Sequence, residues 1–176
     1  MSRVLVLGGS RSGKSAFAES LLAGAGEVEY VATAAHRPND DEWAHRIAAH
    51  RARRPAGWRT VETGDLAGVL GATGGPVLID SVTAWLARTM DETGCWAAPP
   101  GAPPAECAER IDLLCTRWAS AARDVVAVSD EVGSGVVPET ASGRLFCDSL
   151  GALNQRLAAA ADEVQLVVAG IPLRLK

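Results

Sequence analysis

The chain lacks features that mark several common classes of protein. It has one Tyr, two Phe and a net charge of −4 in 176 residues, so it offers few of the stacking side chains and none of the excess positive charge on which nucleic-acid-binding proteins rely. No run approaches the ~18 consecutive apolar residues that a membrane-spanning helix needs. We therefore expect no nucleic-acid partner and no membrane span.

Cysteine is sparse and unpatterned, which bears on metal sites and disulfides. None of the close C-x-x-C pairs of a zinc site occurs among the four cysteines, which are Cys95, Cys107, Cys115 and Cys147. No segment with the pattern of a secretory signal precedes Arg3, where the first predicted strand begins. We therefore expect a cytoplasmic protein with reduced thiols.

The hydrophobic residues, 48% of the chain, are arranged in short runs that alternate with helical patterns. The runs are nearly continuous in Val, Leu and Ile, as in parallel strands that are buried on both faces. We predict strands at 4–7, 28–32, 58–61, 77–79, 125–128 and 164–168, and helices at about 13–24, 40–53, 82–90, 105–122 and 142–161. This order predicts an α/β fold, a mainly parallel open sheet flanked by helices, in a single domain over residues 1–176.

Three short segments refine this prediction. Residues 171–175 follow Gly170 too closely for a helical crossover, so we expect them to fold back as an antiparallel C-terminal strand. Asp65 is a possible N-cap after the strand at 58–61. Residues 97–104 hold four of the nine prolines, which favours a plain surface connection over a lid.

The strongest motif is a phosphate loop between the first strand and the first helix. Its pattern, G-x-x-x-x-G-K-[ST], comprises Gly8, Gly9, Ser10, Arg11, Ser12, Gly13, Lys14 and Ser15. The glycines let backbone N–H groups approach phosphate oxygens, and the helix N-terminus adds its positive dipole end. Lys14 is expected to reach the β- and γ-phosphates, and the Ser15 hydroxyl to hold Mg²⁺. The chain is therefore predicted to bind a nucleoside triphosphate.

Carboxylates follow two other predicted strands. Asp80 ends a strand, where an acidic residue orients Mg²⁺ in many phosphate-loop proteins; the alternative is an N-cap for the next helix. Asp130 and Glu131 follow the strand at 125–128, which places them at the ligand-binding edge of an open sheet. The alternative for these two acids is a turn stabilised by capping carboxylates.

The predicted helix at 40–53 carries an unusual stripe. Trp43, Ile47 and His50 recur at i, i+4 and i+7, flanked by Arg46 and Arg54. The stripe alone suggests that His50 packs partly buried, and the basic run suggests a solvated face. The arginines would also collect the negative charge of a nucleotide and keep the imidazole neutral, which makes His50 a competent nucleophile toward phosphorus. The spacing leaves these interpretations open.

These residues together resemble the bifunctional adenosylcobinamide kinase/adenosylcobinamide-phosphate guanylyltransferase family of cobalamin biosynthesis. The resemblance runs nearly from end to end and thins across about residues 88–120. It is carried by the phosphate loop and by Tyr30-Val31-Ala32-Thr33-Ala34, His50, Arg54-Pro55, Asp80-Ser81-Val82-Thr83-Ala84-Trp85-Leu86, Glu131-Val132-Gly133-Ser134-Gly135-Val136-Val137-Pro138 and Asn154-Gln155. Asp130 departs from the family pattern, since asparagine is more common there.

The resemblance implies one nucleotide site that serves two reactions. ATP or GTP phosphorylates adenosylcobinamide; GTP then gives GMP to a histidine, and adenosylcobinamide phosphate takes up the GMP to yield adenosylcobinamide-GDP. By position, His50 looks like that histidine, with Lys14 as the second catalytic residue. Beyond the phosphate loop, the implied nucleotide contacts are Ala32, Thr33, Ala34, Arg51, Ala52, Arg53, Arg54, Glu62 and Asp80, with Ser15 and Asp80 at Mg²⁺. Members of the family assemble as homotrimers.

Two other enzyme-like functions fit the phosphate loop alone. One is a small-molecule kinase with no covalent guanylyl step, and the other is a nucleotide-dependent switch ATPase or GTPase that transfers to no acceptor. A nucleic-acid-binding module built on the basic run at 46–54 is disfavoured by the net charge.

Overall fold

A computed structural model describes residues 1–34, 55–98 and 104–176. Within these ranges the chain forms one seven-stranded sheet and five α-helices. The strands are β1 (Arg3–Gly8), β2 (Val28–Ala32), β3 (Trp58–Glu62), β4 (Val77–Asp80), β5 (Val125–Asp130), β6 (Glu163–Val168) and β7 (Ile171–Arg174). The helices are α1 (Lys14–Leu21), α2 (Leu66–Gly71), α3 (Val82–Glu92), α4 (Ala105–Ala119) and α5 (Ala141–Ala160).

The sheet order is β3-β2-β4-β5-β1-β6-β7, with β7 alone antiparallel. The pairs β1–β5, β1–β6, β2–β3, β2–β4 and β4–β5 are parallel. Gly8 is paired with Asp130, and Ala32 with Asp80. Four strands therefore bring their carboxyl ends, and the residues that follow them, to one edge of the sheet.

Two apolar clusters cover the two faces of the sheet. On one face α1 packs against side chains such as Val6, Leu78 and Val128. On the other face α2, α3, α4 and α5 cover side chains such as Leu5 and Ile79. Because neighbouring residues of a strand point to opposite faces and both faces are covered, the central strands have to be apolar throughout.

The predicted strands and the fold class are confirmed. β2 has its predicted bounds, and the C-terminal strand folds back antiparallel, with Val168 opposite Ile171. α1, α3, α4 and α5 lie at predicted positions, although α1 ends at Leu21 instead of 24 and α4 at Ala119 instead of 122. The short helix α2 was not predicted; only its N-cap, Asp65, was. The predicted helix at 40–53 lies outside the described residues, as does most of the connection at 97–104. In the described part of the chain, no helix is both long and apolar enough to cross a membrane.

Two local predictions also hold. Asp65 caps α2, since its Oδ1 accepts a hydrogen bond from the Gly68 N–H at 2.8 Å. All four cysteines are free, and Cys95 and Cys107 are buried. Burial and a hydrogen bond with Cys95 raise the pKa of the Cys107 thiol to about 11, so this thiol stays protonated at neutral pH.

Candidate nucleotide site

The loop between β1 and α1 requires glycine at two of its three glycine positions. Gly13 caps α1 with φ 94°, a left-handed conformation that other residues rarely adopt. A Cβ on Gly8 would lie 2.5 Å from the Ser12 Oγ and 2.7 Å from the Val167 carbonyl oxygen, so the strand end has no room for a side chain. A Cβ on Gly9 would meet nothing within 4 Å, so the chain itself does not require glycine there.

The turn between β6 and β7 supports this loop from the side. Gly170, at φ 80°, donates its N–H to the Ser12 carbonyl oxygen at 2.7 Å. Its Cα would lie 3.1 Å from a Cβ placed on Gly13. The phosphate loop is therefore packed against the C-terminal hairpin and held by a backbone hydrogen bond.

Lys14 is bound to a carboxylate at the centre of the site. Its Nζ lies 2.6 Å from the Asp130 Oδ1 and donates to the Gly9 carbonyl oxygen at 3.1 Å. The backbone N–H of Asp130 in turn donates to the Thr83 hydroxyl at 2.7 Å. Because β5 lies next to β1, the end of β5 brings its carboxylate to the ammonium group that the phosphate-loop motif provides for phosphates.

Asp80 faces the start of α1. Its Oδ1 accepts a hydrogen bond from the Ser15 hydroxyl at 3.4 Å, and its Oδ2 accepts a short one from the Tyr30 hydroxyl. The capping alternative for Asp80 is wrong, because Ser81 caps α3 by accepting the Ala84 N–H at 3.2 Å. A hydroxyl and a carboxylate at this spacing are oxygen ligands of the kind that Mg²⁺ takes when phosphate oxygens and water complete its shell.

The other predicted contacts at this edge differ in their accessibility. Ala32, Thr33 and Ala34 lie at the end of β2, beside Asp80. Thr33 is fully buried; its hydroxyl donates to the Ser81 carbonyl oxygen at 2.6 Å and accepts the Ser81 N–H at 3.0 Å. This hydroxyl therefore fixes the end of β4 instead of facing a ligand. Glu62, which ends β3, is exposed.

The structure brings together the loop, Lys14, Ser15 and Asp80, as the sequence predicts. The remaining predicted residues, His50, Arg51, Ala52, Arg53 and Arg54, lie outside the described residues. Their roles stay predictions from the sequence.

The sequence left two interpretations open for Asp130 and Glu131, a carboxylate of the site and a capping carboxylate in a turn. The structure gives a different one to each residue. Asp130 contacts Lys14, whereas Glu131 closes a turn by accepting the N–H groups of Gly133 at 2.7 Å and Ser134 at 3.2 Å. Burial alone would raise the pKa of Glu131, but the hydrogen bonds from Ser134 and Gly133 outweigh it and lower that pKa. Glu131 is therefore a charged turn residue at neutral pH.

Sequence reasoning missed three supporting side chains. Tyr30 reaches Asp80 because it lies on the same face of the sheet as Leu78, its partner on β4. The Asn154 Oδ1 accepts the Ser129 hydroxyl at 2.7 Å, and its Nδ2 donates to the Asp130 carbonyl oxygen at 3.0 Å. Thr83 is the third. A polar side chain inside an otherwise apolar stripe is the one signal that the sequence gave for Tyr30.

Removal of the Asp130 charge is expected to strengthen nucleotide binding. In the Asp130→Asn variant, Lys14 no longer has to leave a carboxylate to reach the phosphates, and the site carries one negative charge fewer. We expect the Kd for a non-hydrolysable GTP analogue to fall by about tenfold, or ~1.4 kcal/mol, with a smaller difference at high salt. Titration calorimetry at two ionic strengths measures both.

Asp124→Asn is the matched control, since it removes the same charge at the opposite end of β5. Asp124 accepts the Ser2 N–H at 2.7 Å, far from the phosphate loop along the strand. If Asp130→Asn binds the nucleotide no more tightly than the wild type does, the Lys14–Asp130 pair does not compete with phosphate.

Comparison with known proteins gives a consistent result along the whole chain. The profile of a family described as cobinamide kinase / cobinamide phosphate guanyltransferase matches residues 4–175. The bifunctional adenosylcobalamin biosynthesis protein CobU of Salmonella typhimurium is 39% identical over 186 residues, which cover 98% of this chain and 99% of the relative. The protein of the same name from Escherichia coli K12 is 40% identical over 181 residues, which cover 98% and 99% of the two chains.

Comparison with a solved structure bears on the fold alone. An ATPase from the type III secretion system of pathogenic bacteria superposes on this chain with a TM-score of 0.62 at 13% identity. The match covers 98% of this chain and 56% of the ATPase. The likeness shows that the two proteins share a fold over nearly the whole of this chain.

Proposed function

This chain belongs to the cobinamide kinase / cobinamide phosphate guanyltransferase family, and from that premise we propose that a single nucleotide site serves both reactions. The chain is a transferase of cobalamin biosynthesis. The observation that carries the single site is the convergence of Lys14, Ser15 and Asp80 at the carboxyl edge of the sheet. The chain from 1 to 176 forms one catalytic domain in this proposal.

The first reaction moves the γ-phosphoryl group of ATP or GTP to adenosylcobinamide. The hydroxyl oxygen of the aminopropanol arm forms a bond to the γ-phosphorus while the bond from that phosphorus to the β,γ-bridging oxygen breaks. The nucleoside diphosphate leaves, and the hydroxyl proton is released to solvent. Lys14 and the loop N–H groups bind the phosphate oxygens and offset their charge, which is the main contribution a protein makes to this reaction.

Mg²⁺ fits the oxygen ligands at the start of α1. Ser15 and Asp80 would hold it, and the bound ion would supply positive charge to the phosphates during transfer. Tyr30 orients the Asp80 carboxylate through its hydrogen bond to Oδ2, which leaves the other oxygen beside Ser15.

The second reaction uses GTP and His50. An imidazole nitrogen attacks the α-phosphorus, the bond to the α,β-bridging oxygen breaks, and pyrophosphate leaves. A phosphate oxygen of adenosylcobinamide phosphate then attacks the same phosphorus, the N–P bond breaks, and the imidazole is regenerated with release of adenosylcobinamide-GDP. The resemblance of the segment around His50 to the family supports this role, and Arg51, Ala52, Arg53 and Arg54 are proposed to contact the same nucleotide.

The setting of the enzyme follows from the same family membership. We propose a cytoplasmic homotrimer that acts on adenosylcobinamide and its phosphate. Light scattering of the purified chain measures the trimer directly.

Labelling with GTP that carries ³²P at the α-phosphate tests the covalent step. We expect a protein-bound label that is labile in acid, stable in alkali and mapped to His50, because an N–P bond has these properties. His50→Ala should lose the label completely. His45→Ala, on the same predicted helix, is the matched control and should keep it.

The same experiment separates the rival functions. Label on His45 would move the nucleophile, and the absence of label with intact phosphorylation of adenosylcobinamide would leave a simple kinase. Hydrolysis of GTP with no transfer to any corrinoid would leave a nucleotide-dependent switch.

A further inference from the structure

We propose that a cavity between the loop at 131–138 and helix α5 binds the corrinoid acceptor; this inference rests on the proposed function. The cavity has a volume of about 610 Å³, within the range of small-molecule sites. Leu7, the last residue but one of β1, lines it just before the phosphate loop. It therefore opens at the same edge of the sheet as the nucleotide site.

Two hydrogen bonds, one between backbone groups and one from a side chain, tie the cavity to the nucleotide site. The Glu131 N–H donates to the Gly8 carbonyl oxygen at 3.1 Å, so the cavity loop begins against the phosphate loop. Asn154, which lines the cavity, donates its Nδ2 to the carbonyl oxygen of Asp130, the partner of Lys14. Only the end of β5, at Asp130, therefore lies between Asn154 in the cavity wall and Lys14.

Because of the position of the cavity, an acceptor bound there needs a flexible arm to reach the phosphates. Leu7 and α5 belong to one face of the sheet, whereas α1 lies on the other. A group that reaches from the cavity to the phosphates has to pass over the ends of β1 and β5. The aminopropanol arm of cobinamide ends in the hydroxyl to be phosphorylated, and it has the shape that this path requires.

The walls of the cavity match the two kinds of surface on a corrinoid. One wall is apolar and includes Val136 and Val137, which are 96% and 72% exposed, far more than valine usually is. The facing wall on α5 carries Asp148 and Gln155. A corrin ring offers an apolar face and a rim of carboxamides, whose N–H groups suit the Asp148 carboxylate and whose C=O and N–H groups suit the Gln155 amide.

Arg144 anchors the end of the cavity loop to α5. This side chain donates to the carbonyl oxygens of Pro138 at 2.9 Å and Glu139 at 2.7 Å. Thr140 caps α5 by accepting the Gly143 N–H at 3.1 Å. The loop therefore returns to the helix at a fixed point, and the space between the two is formed before a ligand arrives.

Gly151 provides independent evidence that the cavity holds a ligand. It lies in the middle of α5 and lines the cavity, although glycine inside a helix is less favourable than alanine. A Cβ at this position would meet nothing within 4 Å. Packing within the described chain therefore does not demand glycine, and its effect is to keep the cavity wide.

Gly151→Phe tests the site by filling the cavity. We expect the KM for adenosylcobinamide and for its phosphate to rise at least tenfold, while the Kd for GTP and the yield of GMP-labelled enzyme stay as in the wild type. Gly151→Ala should raise these KM values far less. Ala159→Phe is the matched control, because it adds the same ring to an exposed position of the same helix outside the cavity and should change neither KM.

Each remaining outcome decides the question. Unchanged KM values in Gly151→Phe would overturn the inference, and a changed oligomeric state with unchanged KM would assign the cavity to a second copy of the chain. If Gly151→Phe does not fold, Val136→Ser combined with Val137→Ser takes its place, since both side chains are exposed. Should the wild type transfer to no corrinoid, the proposed function fails; equilibrium dialysis of adenosylcobinamide then tests the cavity, and no binding by the wild type overturns it.

Discussion

Lys14→Met is expected to reduce both transfers by about 10²–10³-fold, the effect of removing one well-placed stabilising group from a transition state. The wild-type ammonium group lies in the site, 2.6 Å from the Asp130 Oδ1 and 3.1 Å from the Gly9 carbonyl oxygen. Methionine keeps most of the length of the side chain and removes the charge that offsets the phosphates. Steady-state phosphorylation of adenosylcobinamide and α-phosphate labelling of the enzyme measure the two losses separately.

Two further variants make this result specific to the position of the charge. Lys14→Arg keeps the charge in a planar, wider group, and we expect it to remain severely impaired because a point charge inside a tight loop is what the site accommodates. Lys176→Met alters the only other lysine of the chain, which donates to the Ala161 carbonyl oxygen at 2.7 Å, away from the site. Loss of activity in Lys176→Met equal to that in Lys14→Met would contradict the assignment.

Asp80→Asn is expected to lower kcat for both transfers by at least about 10²-fold, because charge stabilisation by a bound metal contributes several kcal/mol to such reactions. The amide keeps the size and one acceptor oxygen of the carboxylate, so Ser15 and Tyr30 retain a neighbour. Only the negative charge that would hold Mg²⁺ is lost. Rates measured over a range of Mg²⁺ concentrations should show a raised metal requirement in addition to the lower maximum.

Tyr30→Phe is the control that separates the carboxylate from its support. It removes one hydroxyl from a side chain that is 2% exposed and leaves the ring in the core. We expect a loss of about tenfold, typical of a residue that orients a metal ligand. A loss in Asp80→Asn no larger than in Tyr30→Phe, with no change in the metal requirement, would show that Asp80 has a structural role alone.

The sequence predicted the elements well because burial on both faces leaves an unambiguous pattern. β2 and β4 are short runs that are apolar apart from Glu29 in β2 and the terminal Asp80 in β4. β7 follows β6 after a two-residue turn that leaves room only for a hairpin. The phosphate loop was predictable for a different reason. Its glycine at position 13 must adopt a left-handed conformation and its lysine must follow directly, so the local spacing carries the geometry.

The contacts between elements were not predictable, because spacing along the chain does not give the order of strands in a sheet. The Lys14–Asp130 pair exists because β5 is inserted between β1 and β4. Whether Asp80 or Ser81 caps α3 depends on the backbone angles at the start of the helix, and the identity of these two residues does not determine those angles. Each of these features belongs to the tertiary structure, and each decides what a predicted site residue does.

The hydrogen bond from Gly170 to Ser12 makes the consensus motif an incomplete description of the nucleotide site. A truncated chain that stopped after α5 would carry every motif letter from Gly8 to Ser15 yet leave the Ser12 carbonyl and one flank of Gly13 without their neighbour. During synthesis on the ribosome, the loop emerges early but acquires this neighbour only after β6 and the turn have been made. Affinity for nucleotide therefore reports that β6, β7 and the turn between them have packed beside the phosphate loop, which makes it a convenient signal of a late step in folding.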